Sequence, residues 1–311
     1  MTSSVQFAVL GPVVAEHPDG PVDLKGPRHR AVLALLLIAR GRVVPVRRLV
    51  DDLWDDPPAS AVATVRTFVS SLRRAVEPDR APRSPAEVLV TAGPGYALRL
   101  PAHAVDAWRF EEAVREAGRL LDAGDPAAAR SRAAEALDLW RGPAYAEFAD
   151  QPWARGEIAR LDELRLLAVE RHARAALALG HAAETVPDLE AHVGVHPWRE
   201  DAWGLLSLAL YRTGRQTDAL AVLRRARQAL AAELGLDAGP DLRRLEADIL
   251  NQAPHLALRP AEAPTAAAAA HPPTAPAARA PARCSSAART SSPGSNRPPR
   301  RPCHSTGSGS R

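Results

Sequence analysis

The sequence predicts an α+β domain at the amino terminus, an all-α domain of helical repeats after it, and a disordered tail. Three observations lead to this prediction. Strand-like and helical patterns both occur within residues 1–100, only helical periodicity occurs over residues 101–252, and residues 253–311 are rich in Pro, Ala, Ser and Arg. A chain of 311 residues is long enough for two domains of ordinary size.

The first 100 residues contain short strands, three helices and a hairpin, in that order. The segments "VQFAVLGPVVAE" and "GPVDLKG" have strand composition and are interrupted by turn residues. One helix begins near Pro27, which suits a first turn, and a second begins near Val46. The third helix covers about residues 59–76, and "EVLVTAGPGYALRL" predicts a β-hairpin over residues 88–100.

The third helix has one apolar side and one polar side. Residues 65, 68, 69, 72 and 76 are apolar and recur at helical spacing, which predicts a buried stripe. The other side carries Arg and short hydroxyl side chains, and taken alone it could be a solvated surface. Strands, three helices and a hairpin are, however, the order of a winged helix-turn-helix domain of the OmpR type. In that fold the third helix enters the major groove and the hairpin is the wing. Arginines there can pair with phosphates or guanine edges, and hydroxyls add shorter hydrogen bonds.

Residues 101–252 have the pattern of paired helices separated by small turns. The segment "YRTGRQTDALAVLRRA" matches the tetratricopeptide pattern. The units recur at about 35–40 residues, which is typical of helical repeats that bury their faces by stacking. The sequence therefore predicts an all-α, tetratricopeptide-like helical repeat domain.

Charge is unevenly distributed along the chain. Residues 1–100 carry 13 basic and 10 acidic side chains, residues 101–252 carry 19 and 25, and residues 253–311 carry 8 and 1. The basic sequence pI therefore comes largely from the tail and is no argument for nucleic-acid binding by the folded part. The tail, which also holds Cys284 and Cys303, has too few large apolar residues to fold. Its composition fits a natural tail and the remnant of a longer regulator equally well.

Several segments resemble the Streptomyces antibiotic regulatory protein (SARP) family. Residues 5–76, from "VQFAVLGPVVA" to "TVRTFVSSLRRAV", look like its winged-helix domain. The segments "LDLWRGPAYAEF", "HPWREDAW" and "GRQTDALAVLRRARQALAAELGLDAGPDLRRLEADIL" look like the bacterial transcriptional activation domain that follows. The resemblance covers about residues 5–252. It places the boundaries at residues 1–100 for the DNA-binding domain, 101–252 for the activation domain and 253–311 for the tail.

The resemblance implies an activator of antibiotic or other secondary-metabolite genes in actinobacteria. Such proteins bind direct repeats in double-stranded DNA near promoters, as homodimers or tandem protomers, and recruit the RNA polymerase holoenzyme. Carried over by position, the DNA-binding residues of the third helix are Arg66, Thr67, Ser70, Ser71, Arg73 and Arg74. The resemblance also implies phosphate contacts by Lys25, Arg28 and Arg30, and a wing Gly-Tyr at Gly95 and Tyr96.

Two other classes of function stand beside this one. A helical-repeat scaffold whose winged helix no longer reads DNA is favoured only by Ser70 and Ser71, because related winged helices often carry arginines there. An enzyme is not indicated, since a P-loop needs Gly-Lys-Ser/Thr and the single lysine, Lys25, precedes Gly-Pro. We expect no catalytic residues, no cofactor, no metal and no membrane partner. Because the longest apolar run, residues 31–39, is only about half a membrane span, we expect a cytoplasmic protein.

Overall fold

The structure is a computed structural model that describes residues 5–81 and 83–257. The predicted disorder of the tail and the positions of both cysteines therefore lie outside the described residues, apart from residues 253–257. Among the described residues, no helix combines the length and apolar character needed to cross a bilayer.

The chain begins with a small antiparallel sheet. Its strands run in the order β1 (Gln6–Ala8), β2 (Val14–His17) and β3 (Gly20–Pro21). Phe7 pairs with Ala15, and both side chains are buried. The alternation of buried and half-exposed residues in β1 follows from the period of two in a strand.

Three helices follow, close to the predicted positions. They are α1 (Pro27–Ile38), α2 (Val46–Leu53) and α3 (Ala61–Val76). Pro27 stands in the first turn of α1, where its missing N–H costs nothing. Residues 31–37 of α1 are all buried, so α1 is the central helix of this part of the molecule.

A second sheet contains the predicted hairpin and one strand that the sequence did not predict. Its strands are β4 (Val44–Pro45), β5 (Leu89–Ala92) and β6 (Gly95–Leu98), in the order β4-β6-β5. β4 escapes prediction because two residues, one of them proline, give no alternating pattern. The strand order leaves β5 at the edge of the sheet.

The rest of the described chain is helical, as predicted. Seven α-helices follow: α4 (Asp106–Asp122), α5 (Pro126–Leu137), α6 (Pro152–Ala178), α7 (Ala182–Val195), α8 (Glu200–Arg212), α9 (Gln216–Leu234) and α10 (Pro240–Leu250). Helices adjacent in sequence pack together, as do α10 and α8. The tetratricopeptide-like character of these pairs stays a prediction.

Two hydrophobic cores organise the described residues. The first contains the winged helix, α4, and parts of α5 and α6 as far as Ala168. The second begins at Ala173, still within α6, and ends at Leu256. The first core therefore continues across residue 100 without interruption, and the predicted domain boundary at that position stays a prediction.

Candidate nucleic-acid interface

The inner side of α3 fixes the helix against the winged-helix core. Val65, Val69, Leu72 and Val76 are buried, in agreement with the predicted apolar stripe. Phe68 is half-buried and its ring lies 6.4 Å from that of Trp54 at the end of α2. The helix therefore has a defined rotation about its axis, and this rotation determines which residues face solvent.

The outer side of α3 carries positive charge and hydroxyl groups. Four of the predicted residues are exposed, namely Arg66, Thr67, Ser70 and Arg74. Within residues 5–81 and 83–257, neither Arg66 nor Arg74 makes an ion pair. The helix contains three arginines and no carboxylate, so nothing on it repels a phosphate.

The hydroxyl groups of α3 differ in their availability. The Thr67 hydroxyl donates to the Ala63 carbonyl at 3.1 Å, a bond within the helix. Ser70 is exposed, whereas Ser71 is half-buried. Ser70 is thus the better placed of the two predicted serines for contact with another molecule.

Arg73 lies on the flank of α3 and reaches the hairpin. Its Nε donates to the Leu89 carbonyl at 2.6 Å, and its Nη2 donates to Thr91 Oγ1 at 2.7 Å. Its guanidinium carbon lies 5.5 Å from the centre of the Tyr96 ring. The structure therefore gives this predicted DNA contact partners within the protein.

Gly95 and Tyr96, the predicted Gly-Tyr of the wing, are buried at the start of β6. A Cβ at Gly95 would overlap the Val44 carbonyl, so glycine is required for β4 and β6 to pair. Only 7% of Tyr96 is exposed, and its ring supports the Arg73 guanidinium. Both residues therefore contribute to the shape of the wing, and their contact with DNA stays a prediction.

The three basic residues near the start of α1 also have internal partners. Lys25 forms an ion pair with Asp23, and hydrogen bonds from Lys25 lower the pKa of that carboxyl. The Arg28 guanidinium lies 5.0 Å above the Trp54 ring but remains exposed. The Arg30 Nε lies 2.9 Å from Glu147 Oε1, in the segment between α5 and α6, and its predicted phosphate contact stays a prediction.

Sequence reasoning missed the polar contacts that join the winged helix to α4 and α6. Asp106, buried at the start of α4, accepts hydrogen bonds from the backbone N–H groups of Val9 at 2.8 Å and Leu10 at 3.0 Å. Arg40, after α1, forms ion pairs with Glu111 of α4 and Glu157 of α6. No sequence pattern indicates these pairs, because the partners are separated by 71 to 117 residues.

Family models and known proteins agree with this architecture. A model described as "Transcriptional regulatory protein, C terminal" matches residues 20–98, and one described as "Bacterial transcriptional activator domain" matches residues 105–250. Regulatory protein DnrI of Streptomyces peucetius is 35% identical over 86% of this chain and 99% of its own length. A solved structure, "Mycobacterium tuberculosis EmbR in complex with low affinity phosphopeptide", is 36% identical and has a TM-score of 0.76 over 80% of this chain and 66% of that one.

The fold and its outer α3 surface thus define a transcriptional regulator of the winged-helix class. More specifically, the chain belongs to the Streptomyces antibiotic regulatory protein family. Regulatory protein AfsR of Streptomyces coelicolor is 40% identical over 89% of this chain, but the chain spans only 27% of the length of AfsR. What the longer relatives do as whole proteins does not follow from that match.

Proposed function

We propose that this protein binds direct repeats in promoter DNA and recruits the RNA polymerase holoenzyme to secondary-metabolite genes. The observation that carries the proposal is the outer side of α3, where Arg66 and Arg74 are exposed on a helix without carboxylates. A second exposed feature, Ser70, adds a hydrogen-bonding group between them.

The mechanism follows from the shape of the domain. α3 lies in the major groove, where Arg66 and Arg74 pair with phosphates or with the O6 and N7 edge of guanine. The hairpin lies beside the groove and holds the register. Two protomers, as a homodimer or in tandem, place their α3 helices in successive major grooves on one face of the DNA.

The helical region supplies the surface for the polymerase. Residues 101–252 carry more acidic than basic side chains, which disfavours contact with DNA and leaves that surface for a protein partner. The first core joins α4 and the first part of α6 to the winged helix, so this part of the surface packs with the domain that carries α3. Family membership supports the same division of roles.

A footprint tests the proposal. The full chain is incubated, at near-physiological salt, with DNA upstream of the genes that neighbour its own gene. We expect protection of direct repeats whose centres are about 10 base pairs, one helical turn, apart. The Arg66→Ala/Arg74→Ala double variant should lose this protection. Arg224→Ala/Arg243→Ala, which removes two exposed arginines from α9 and α10, is the matched control and should retain it.

The alternative function is a helical-repeat scaffold that has lost DNA reading. It is favoured by Ser70 and Ser71, which offer no charge at positions where related winged helices carry arginines. Diffuse, salt-sensitive binding by the wild-type chain, equally affected by Arg66→Ala/Arg74→Ala and Arg224→Ala/Arg243→Ala, would favour the scaffold over the activator.

A further inference from the structure

Arg73 connects α3 to β5 and β6, the two strands of the wing. Its Nε and Nη2 donate to the Leu89 carbonyl and the Thr91 hydroxyl on β5, and its guanidinium covers the ring of Tyr96 on β6. Together these contacts link one side chain of α3 to three residues of the hairpin.

The acceptors lie on a strand that has no neighbour on one side. β5 is the edge of its sheet, so part of its backbone lacks partners in the sheet. Leu89 and Thr91 are two positions apart, and the planar fork of Arg73 bonds to both at once. An ammonium group at this position has no such fork and would not reproduce the arrangement.

Arg73 therefore differs from the other two arginines of α3. Arg66 and Arg74 are exposed and make no ion pair within the described part of the chain, whereas Arg73 is half-buried and bonded to the hairpin. We propose that Arg73 is a positioning residue: it fixes the wing against the recognition helix and contacts neither base nor phosphate. The inference rests on the proposed DNA-binding function.

The composition of the wing makes this proposal measurable. Residues 89–98 of the wing contain no charged side chain, and Arg99 follows β6 outside the segment that Arg73 contacts. This segment can therefore contact DNA only through neutral groups. Releasing the wing should therefore weaken binding without changing the number of phosphates that the protein neutralises. That number determines the slope of log affinity against log salt, about 0.9 for each phosphate contact on B-form DNA.

The first experiment measures that slope for the full chain on its footprinted site. Arg73→Lys keeps the positive charge but loses the fork, and Thr91→Val removes one acceptor and no charge. We expect Arg73→Lys to lose affinity about tenfold, the size of one charge-assisted hydrogen bond. Thr91→Val should lose less, and both variants should keep the wild-type slope. Arg74→Ala serves as the comparison and should reduce the slope by about 0.9.

A phosphate contact would give the opposite pattern. Arg73→Lys would then bind as the wild-type chain does, and Arg73→Ala would reduce the slope by the same amount as Arg74→Ala. Either result would overturn the proposal. A hydroxyl-radical footprint shows which DNA contacts are lost. For Arg73→Lys we expect protection to be lost beside the groove and retained where α3 contacts DNA. A general loss of stability would not give this pattern.

The second experiment needs no DNA. In the free protein, we expect Arg73→Lys and Thr91→Val to accelerate hydrogen exchange of the backbone amides of β5 and β6, and Arg74→Ala to leave it unchanged. Unchanged exchange in Arg73→Lys would overturn the proposal. If the wild-type chain shows no specific footprint, the proposed function fails, and the exchange data still decide whether Arg73 holds the hairpin.

Discussion

The two hydrophobic cores are held together in different ways. In the first core, polar contacts join residues far apart in sequence, such as Val9 with Asp106, 97 positions away, and Val13 with Glu147, 134 positions away. In the second core the ties connect helices closer in sequence, such as Glu170 of α6 with Arg199, 29 positions away, just before α8. The first core is therefore formed by segments that are distant in sequence, whereas the second is formed by the stacking of successive helices.

This difference changes the meaning of a domain boundary in the molecule. α4 and α5 contribute to the same core as α1 and α3, and α6 passes from the first core into the second near residues 168–173. The winged helix, α4 and part of α5 are therefore packed around one shared core. Only beyond the middle of α6 does the helical region have a core of its own.

The largest expected effect comes from breaking the first core at Asp106. Asp106→Ala removes the acceptor of the Val9 and Leu10 N–H groups in a buried place. Burial raises the pKa of this carboxyl, while the backbone N–H groups of Leu10, Val9 and Ala107 oppose that shift. Because the buried N–H groups of Val9, Leu10 and Ala107 lose their partner, we expect the free energy of unfolding to fall by about 4 kcal/mol. Urea denaturation followed by tryptophan fluorescence measures the change.

Asp106→Asn provides the control for that variant. Its amide oxygen can still accept at the Oδ1 position, which serves Val9 and Ala107, while the Leu10 N–H loses its acceptor. The loss should therefore be about half as large. A loss below about 1 kcal/mol for Asp106→Ala would show that the hydrogen bonds from Val9 and Leu10 to Asp106 contribute little to stability.

A smaller effect is expected from Glu170, the buried carboxylate of the second core. It accepts from Arg199 Nε at 2.7 Å and Nη2 at 2.8 Å, and His192 Nε2 lies 3.5 Å away. Burial alone would raise the pKa of Glu170, but the bonds and charges of His192 and Arg199 outweigh it and lower this pKa to about 2. We expect Glu170→Gln to lower the free energy of unfolding at pH 7 by about 3 kcal/mol.

The pH dependence of that loss follows from the direction of the shift. A carboxyl with a lowered pKa in the folded state contributes stability that is present above its unfolded value of 4.5 and is lost as the pH falls towards 2. The difference between wild type and Glu170→Gln should therefore shrink over this interval. A difference that stays constant from pH 7 to pH 2.5 would contradict the ion-pair explanation.

The local elements of the fold were predictable, whereas their polar connections were not. α1 and α2 begin at the predicted residues Pro27 and Val46, because proline in the first turn and apolar spacing are local signals. The hairpin was predictable from Gly93-Pro94 for the same reason. Asp106, in contrast, looks like any acidic residue at a helix start until the chain brings Val9 beside it.

The candidate site shows the same division. Periodicity placed Ser70 and Arg74 opposite the buried stripe of α3 and placed Arg66 and Arg73 on its flanks. In the structure Ser70, Arg74 and Arg66 are exposed. Helical spacing gave Arg66 and Arg73 equivalent flanking positions, because their difference arises from the hairpin that folds against only one of them. Contact of Arg66, Ser70 and Arg74 with DNA stays a prediction until the footprint is measured.

A third prediction compares partly exposed ion pairs at the surface beside each of the two cores. Arg40 is about one-third exposed and bridges α4 and α6 through Glu111 and Glu157. Solvent screening limits its contribution, so we expect Arg40→Ala to lower the free energy of unfolding by about 1 kcal/mol. Arg227→Ala, which removes one exposed pair between α9 and α10, should cost about 0.5 kcal/mol. Equal losses for the two variants would show that the bridge adds nothing beyond a single surface pair.

The smallest change in stability is expected on the outer side of α3. There we compare Arg74, which is expected to affect DNA binding, with Arg30, which is expected to affect stability. Arg74 has no ion-pair partner in the described part of the chain, so Arg74→Ala should change the free energy of unfolding by less than about 0.5 kcal/mol while weakening DNA binding.

Arg30→Ala should do the reverse, because Arg30 is paired with Glu147 and with the Lys25 carbonyl. It should lower stability by about 0.5–1 kcal/mol and leave the salt slope of DNA binding unchanged. Thermal unfolding and salt titration of both variants measure the two quantities. If Arg30→Ala reduced the slope instead, Arg30 would exchange Glu147 for a phosphate on binding, and DNA would compete directly with the contact between the winged helix and the segment that follows α5.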